Sequence, residues 1–177
     1  MSETIKKKTK QTICADVRWM IRRDMPETLA IEAASFEFPW LEDDFIRCLR
    51  QRNCIGMTAE HDEHVVGFMI YELNKNRIQL LNFAVLPEMR RQGIGTQIIR
   101  KLIGKISRQN RTRILLELRE TNLAAQLFFR KNGFWAISVL RDYYEETPED
   151  AYLMQYRCVT PQETRFVPTN RISKLMG

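Results

Sequence analysis

The feature that most constrains this chain is a strand, a glycine-containing turn and a helix start that follow one another within residues 78–104. An apolar run ends at Pro87, and Gly93 and Gly95 then open a helical stripe of isoleucine and leucine that extends to about residue 107. Glycine lets the backbone approach a ligand closely, and the free amides of a helix N-terminus attract anions. The segment predicts a turn that binds a phosphorylated ligand, with a plain strand-to-helix turn as the alternative.

The surroundings of this turn argue against the common nucleotide folds. Arg90 and Arg91 stand beside it, and the pattern has no P-loop lysine. It also lies in the middle of the chain, whereas a dinucleotide-binding turn follows the first strand of its domain. Both the nucleoside triphosphate and the dinucleotide interpretations are therefore weakened.

Hydrophobic periodicity around the turn predicts alternating strands and helices in a mixed α/β fold. Helix start signals are present at Asp24, with Pro26 in the first turn of that helix, and at Asn122. Gly133 has the position of a helix C-cap. Strands are predicted over 15–21, 54–60, 65–73, 77–86, 114–118, 134–140 and 152–157, and helices over 24–36, 42–50, 93–107 and 122–131. We expect one domain over residues 13–158, a basic tail over 1–12 and a second tail over 159–177.

Composition excludes several classes of protein. Hydrophobic residues make up 44% and charged residues 28% of the chain, which is ordinary for a globular domain. No apolar run approaches the roughly 20 residues that span a bilayer, and the N-terminus has no secretory pattern. We therefore expect a cytoplasmic protein that has no membrane partner and keeps its four cysteines reduced.

The polar ligands that a metal would need are not grouped in the sequence. His61 and His64 flank the predicted hairpin tip, and no cysteine pair of the CxxC type is present. We expect no metal site. The net charge of +6 includes Lys6, Lys7, Lys8 and Lys10, and it favours a polyanionic partner, either a phosphorylated cofactor or a weak RNA contact through the basic tail.

The pattern Arg90-x-x-Gly93-x-Gly95 resembles the acetyl-CoA pyrophosphate loop of the GCN5-related N-acetyltransferases (GNAT). The likeness extends from about residue 13 to residue 158, and it is strongest toward the ribosomal-protein-alanine N-acetyltransferase family. Four further segments carry that likeness: Phe38-Pro39-Trp40, Asn82-Phe83-Ala84-Val85, Leu116-Glu117-Leu118-Arg119, and Arg141-Asp142-Tyr143-Tyr144 before Glu149-Asp150-Ala151. The resemblance implies a mostly antiparallel sheet of about six to seven strands flanked by about four helices.

The resemblance also implies where acetyl-CoA binds. The backbone of Phe83, Ala84 and Val85 would hold the acetyl group and the pantetheine arm in a gap between two strands, and amides near Val85 would stabilise the oxyanion. Asn122 matches a position that contacts the cofactor, although an N-cap role explains it equally well. The pyrophosphate would lie against Arg90, Arg91, Gln92, Gly93, Ile94, Gly95 and Thr96.

Glu117 corresponds to the general base of the family. It is also the one acidic residue in the apolar run 114–118, although a strand position that faces solvent is the simpler alternative. In the cleft it would take a proton from the incoming amine, directly or through a water molecule. The expected reaction is direct attack of the neutral amine on the thioester in a ternary complex, with a cysteine nucleophile as a weaker alternative.

Phe129 departs from the family pattern, because the usual residue there is the tyrosine that protonates the leaving thiolate. Phe129 would still line the cofactor site, and Tyr143 or Tyr144 could replace the donor or line the acceptor groove. The loss is tolerable, since a thiol with a pKa near 8.5 leaves readily as thiolate. An α-amine with a pKa near 8 is about one-tenth neutral at pH 7, whereas a lysine is below about one part in a thousand.

These considerations predict an acetyl-CoA-dependent N-acetyltransferase that acts on the N-terminal α-amine of a protein such as a ribosomal protein. Two alternatives remain open at this point. One is a relative that acetylates a small amine or an internal lysine. The other is a catalytically silent module that binds CoA or RNA, which the phenylalanine at position 129 would permit.

Overall fold

A computed structural model describes residues 12–106 and 111–158 of the chain. The strands are β1 Asp16–Trp19, β2 Cys54–His61, β3 His64–Leu73, β4 Arg77–Val85, β5 Arg113–Arg119, β6 Trp135–Leu140 and β7 Ala151–Arg157. The helices are α1 Met25–Ser35, α2 Glu42–Leu49, α3 Ile94–Ile106 and α4 Leu123–Lys131, with short 3-10 turns at Arg22–Asp24 and Pro87–Met89.

All seven strands belong to one sheet with the order β1-β2-β3-β4-β5-β7-β6. Only β4 and β5 pair in parallel, and the other neighbours are antiparallel. The predicted mixed α/β fold is confirmed, and the predicted elements begin and end within two residues of the observed ones. Of the proposed tails at 1–12 and 159–177, residues 1–11 and 159–177 lie outside the described residues, so the domain boundaries stay predictions.

The helices cover both faces of the sheet, because successive side chains of a strand point to opposite sides. On one face, Met69 and Tyr71 of β3 pack in a cluster with the apolar stripe of α3. On the other face, Phe68 and Ile70 pack with Ile31 of α1 and with Phe45 of α2. The central strands are therefore buried on both sides, and access to the sheet is left at the ends of its strands.

The pairing between β4 and β5 is short. It joins Arg77 to Arg113, Ile78 to Ile114 and Gln79 to Leu115, and it goes no further. From Leu80 to Val85, β4 continues to pair with β3 on its other side. The two strands therefore part after Gln79, and from Leu80 onward one backbone edge of β4 has no strand partner among the described residues.

The cysteines correct one expectation. Cys48 of α2 and Cys54 of β2 form a disulfide, with their Cα atoms 6.1 Å apart, so the prediction of four reduced thiols is wrong. The turn between the helix and the strand brings the two residues together, a proximity that sequence spacing alone did not indicate. Cys14 and Cys158 are free thiols.

The two histidines have different partners. His61 Nδ1 lies 3.0 Å from the carbonyl oxygen of Cys14, and His64 Nδ1 lies 2.9 Å from Glu27 Oε1. Within residues 12–106 and 111–158, no three His, Cys, Asp or Glu side chains are grouped so as to hold a metal ion. In the same part of the chain, no helix is long and apolar enough to cross a bilayer.

Candidate active site

The glycine turn has the backbone geometry of an anion site. Arg91 and Gly93 adopt positive φ angles of 64° and 89°, and α3 begins at Ile94 directly after the turn. The first amides of a helix have no acceptor within the helix, so those of Ile94, Gly95 and Thr96 are free to bind an anion. The turn therefore has the backbone geometry to bind an anion, and its contact with a pyrophosphate stays a prediction.

The segment before β1 fastens this turn through the side chain of Gln97. Gln97 Nε2 donates to the carbonyl oxygens of Ile13 at 2.6 Å and Gly93 at 3.3 Å, while its Oε1 accepts from the amide of Ala15 at 3.0 Å. The amide of Ile13 also donates to the carbonyl of Gln92 at 3.0 Å. The loop is thus held in place by the beginning of the described chain.

Gly95 serves packing as well as ligand access. A Cβ atom at this position would lie 3.1 Å from Cζ of Phe128 and 3.3 Å from Cζ of Phe83. The rings of Phe83 and Phe128 stack with their centroids 5.5 Å apart. The missing side chain therefore lets α3 approach the aromatic side chains of β4 and α4.

Arg90 is engaged by the protein itself. Its Nε donates to the carbonyl oxygen of Val85 at 3.0 Å, and its Nη2 donates to Oγ of Ser35 at 2.9 Å. The guanidinium therefore ties the end of β4 to α1, and a direct contact with the pyrophosphate stays a prediction. The side chain of Arg91, by contrast, is exposed beside the loop.

The predicted base lies just beyond the point where β4 and β5 part. Gln79 Nε2 donates to both carboxylate oxygens of Glu117, at 3.0 and 2.8 Å. Burial raises the pKa of Glu117 above its ordinary value, while the hydrogen bonds from Gln79 oppose that rise. A half-buried carboxylate with a raised pKa, fixed at the edge of a gap, has the properties of a general base.

Tyr143 and Tyr144 share the neighbourhood of Glu117. The negative charge of Glu117 contributes to raising the pKa of both phenols, after the larger effect of burial. The pKa of Tyr144 reaches about 12, so this hydroxyl is a weak acid, and Tyr143 is 46% exposed. Both phenols are therefore influenced by the charge of Glu117, while their role as proton donors or in an acceptor groove stays a prediction.

Comparison with known sequences decides the family. Residues 16–134 match the family described as "Acetyltransferase (GNAT) family". The chain belongs to the GNAT acetyltransferases. It is an N-acetyltransferase, and GNAT enzymes use acetyl-CoA as the acetyl donor.

Two relatives with assigned activities resemble this acetyltransferase over most of their length. The [ribosomal protein bS18]-alanine N-acetyltransferase of Escherichia coli K12 is 29% identical over 133 residues, which cover 74% of this chain and 89% of that protein. The N-alpha-acetyltransferase of Sulfurisphaera tokodaii is 32% identical over 123 residues, covering 62% and 73%.

Solved structures share the GNAT architecture. The crystal structure of the ribosomal-protein-S18-alanine N-acetyltransferase from Escherichia coli superimposes with a TM-score of 0.75 at 25% identity, over 83% of this chain and 96% of that one. Ard1 from Thermoplasma volcanium gives a TM-score of 0.76 at 23% identity, over 84% and 100%. The predicted fold and superfamily are confirmed.

The residue that departs from the GNAT pattern lies in the core. Phe129 is 3% exposed and makes edge-to-face contacts with Phe83, Phe128 and Phe134 at centroid distances of 5.7, 5.1 and 5.3 Å. Asn122 caps α4, because its Oδ1 accepts from the amide of Ala125 at 3.1 Å. The cap is therefore observed, and the cofactor contacts of Asn122 and Phe129 stay predictions.

Two further polar side chains, one in β4 and one bonded to it, were not assigned a role from the sequence. Gln79 orients Glu117 as described above. Glu32 of α1, which is 2% exposed, accepts from the Asn82 side-chain amide at 3.1 Å and from the Trp40 backbone amide at 2.8 Å. Burial raises the pKa of Glu32 against these hydrogen bonds. The only sequence signal for Gln79 and Glu32 is that each is a polar residue at an otherwise apolar position.

Proposed function

We propose that this acetyltransferase transfers the acetyl group of acetyl-CoA to the N-terminal α-amine of a protein, such as a ribosomal protein, in the cytoplasm. The observation that carries the proposal is the position of Glu117, hydrogen-bonded to Gln79 at the point where β4 and β5 part. The activities assigned to the relatives from Escherichia coli and Sulfurisphaera tokodaii support the choice of acceptor.

The residues on the cofactor side bind and orient the donor. The free amides at the start of α3 would hold the pyrophosphate, and the open edge of β4 at Phe83–Val85 would hold the pantetheine arm and the acetyl carbonyl. The diverging strands leave room for an extended chain beside that edge. Amides near Val85 would stabilise the oxyanion that develops on the carbonyl oxygen.

The chemistry needs one base and no covalent intermediate. The neutral amine attacks the thioester carbonyl carbon, a C–N bond forms, and Glu117 accepts the proton that the nitrogen loses. The C–S bond then breaks, and CoA leaves as the thiolate, which is stable enough near neutral pH to depart without a strong acid. This sequence of steps is compatible with a phenylalanine at position 129.

An α-amine suits this site better than a lysine side chain. About one-tenth of an α-amine with a pKa near 8 is neutral at pH 7, so the attacking form is already present and Glu117 has to take only the proton that the nitrogen loses on attack. A lysine would require the site to remove a proton from a group with a pKa near 10.4. The departure at Phe129 removes catalytic help, and the more easily deprotonated acceptor is therefore favoured.

The test measures CoA release by the full chain with acetyl-CoA and two otherwise identical peptides. One has a free N-terminal alanine, and the other is blocked at its N-terminus and carries an internal lysine. We expect turnover only with the free terminus, and loss of turnover in Glu117→Gln.

If the enzyme releases no CoA with either peptide, although calorimetry shows that it binds acetyl-CoA, this choice of acceptor is contradicted. A small-amine enzyme or a silent binding module would then remain. Preference for the internal lysine would equally overturn the proposal. Binding of an RNA oligonucleotide at low salt without acetyl transfer would favour the silent module.

A further inference from the structure

Arg119 ends β5 two residues after the proposed base and makes a dense set of contacts with the loop that joins β6 to β7. Its Nη1 donates to Glu149 Oε2 at 2.6 Å and to Thr147 Oγ1 at 2.7 Å, and its Nη2 lies 3.3 Å from Glu146 Oε2. Hydrogen bonds from Thr121, Thr147 and Arg119 lower the pKa of Glu149 to about 2. Glu149 is therefore ionised near neutral pH.

The same guanidinium also contacts two aromatic rings that come from different parts of the chain. Its central carbon lies 3.7 Å from the ring centroid of Tyr144, in the β6–β7 loop. It lies 5.2 Å from the centroid of Phe38, in the connection between α1 and α2. A planar cation over aromatic rings gains from the ring quadrupole, and Arg does this while keeping its hydrogen bonds.

The loop itself is closed by contacts among its own residues 141–150. The amide of Tyr143 donates to the Glu149 carbonyl at 3.2 Å, and the amide of Asp142 donates to Asp150 Oδ1 at 3.0 Å. Arg141 also pairs with Asp150. These bonds shape the loop, and Thr121 and Glu120, directly after β5, also bind its Glu149 and Asp150. Arg119 contacts the loop and, through Phe38, the α1–α2 connection as well.

We propose that Arg119 is a positioning residue that holds the β6–β7 loop and the α1–α2 connection together over the end of β5, and so sets the width of the acceptor groove beside Glu117. This inference rests on the proposed acetyl transfer to a protein N-terminus. The hydrogen bonds and ring contacts of Arg119 run to residues 38 and 144–149 and not to the glycine loop at 90–96. Its loss should therefore weaken acceptor binding and leave acetyl-CoA binding intact.

The test compares Arg119→Lys with Arg141→Lys. Both substitutions keep a positive charge in an ion pair of the same loop, but only the first removes a planar group from Tyr144 and Phe38. We expect Arg119→Lys to raise KM for the acceptor peptide about tenfold, the effect of losing a partly desolvated cation–π contact. KM for acetyl-CoA and kcat should change less than about twofold, and Arg141→Lys should match the wild type.

A second measurement does not depend on acetyl transfer. Hydrogen exchange at the Tyr143 amide should become faster in Arg119→Lys, and faster still in Arg119→Ala, while it stays unchanged in Arg141→Lys. Equal rises in KM for both substrates, or an unchanged acceptor KM with faster exchange, would overturn the positioning role. If the wild-type enzyme acetylates none of the peptides, the proposed function is overturned instead. In that case, hydrogen exchange at Tyr143 that is unchanged in Arg119→Lys would also refute the contact between Arg119 and the β6–β7 loop.

Discussion

The two ends of the active site are built in different ways. The cofactor end consists of backbone, with left-handed residues at Arg91 and Gly93 and the first amides of α3. The acceptor end consists of side chains that are distant in sequence, with Arg119 between Phe38 and Tyr144. A backbone site constrains only a few positions within one short segment. A site made of side chains can change its preference for an acceptor through substitutions, while the acetyl-transfer chemistry next to it is retained.

The largest effect is expected where the two ends meet. Glu117→Gln removes the proton acceptor and should lower kcat by about 10²- to 10⁴-fold, the usual contribution of a general base. Calorimetry should show acetyl-CoA bound within about twofold of the wild-type affinity. Glu63→Gln, the same change at the exposed tip between β2 and β3, should leave both quantities unaltered. Wild-type turnover in Glu117→Gln would show that the amine needs no base.

Adding one methyl group at Gly93 should disrupt the backbone conformation of the cofactor end. Gly93→Ala places a Cβ 3.0 Å from Thr12 Cγ2 at a φ of 89°, so we expect a lower melting temperature and an affinity for acetyl-CoA reduced about tenfold. Gly104→Ala, within α3, is the control, because an added Cβ there meets no atom within 4 Å other than those of its chain neighbours and of the helix backbone nearby. It should keep the affinity and raise stability by about 0.5–1 kcal/mol. Equal affinities would show that the loop conformation is not needed for binding.

The hydrogen bonds from Gln79 to Glu117 should affect the pH at which the acid limb of kcat lies. Glu117 must be ionised to act, and burial raises its pKa, so the acid limb of kcat should lie above the ordinary value of 4.5. Gln79→Leu removes the donors that favour the carboxylate, so the pKa rises further and the limb moves to higher pH. Profiles between about pH 5 and 9 measure this, with Gln51→Leu on the surface as the control. A limb that moves to lower pH would contradict the assigned role of Gln79.

The smallest effect is expected at Phe129. Phe129→Tyr restores the tyrosine of the family pattern, but it places a hydroxyl among Phe83, Phe128 and Phe134. We expect kcat to change less than about threefold, because the thiolate leaves without a strong acid, and stability to fall by about 1–3 kcal/mol from the buried hydroxyl. A gain in kcat of tenfold or more would show that protonation of the leaving group limits the reaction.

The sequence predicts the cofactor end better than the acceptor end, for a physical reason. The glycine turn is local, so Pro87, Gly93 and the apolar stripe of α3 identify it without knowledge of tertiary contacts. The strand and helix boundaries are predicted for the same reason, since hydrophobic period and capping act over a few residues. Resemblance to a family then supplied Glu117.

Long-range contacts were not predicted. Gln79 and Glu117 are 38 positions apart, and Asn82 and Glu32 are 50 apart, so nothing in either local pattern indicates the pair. Arg119 was noted in a family-like segment without a role, because its partners come from two separate loops. The disulfide between Cys48 and Cys54 was rejected on the basis of compartment, whereas the turn after α2 places the two residues side by side.

The short parallel pairing of β4 with β5 has a thermodynamic consequence. Among the described residues, three pairs of strand residues connect the β1–β4 half of the sheet to the β5–β7 half, so this seam is the weakest lateral connection among the strands there. A donor molecule that lies along the open edge of β4 would fill the space where further strand pairing is missing. Its binding energy would then add to the free energy of unfolding by about 2.7 kcal/mol at one hundred times the dissociation constant. The enzyme would be most resistant to heat when it is loaded with its own substrate.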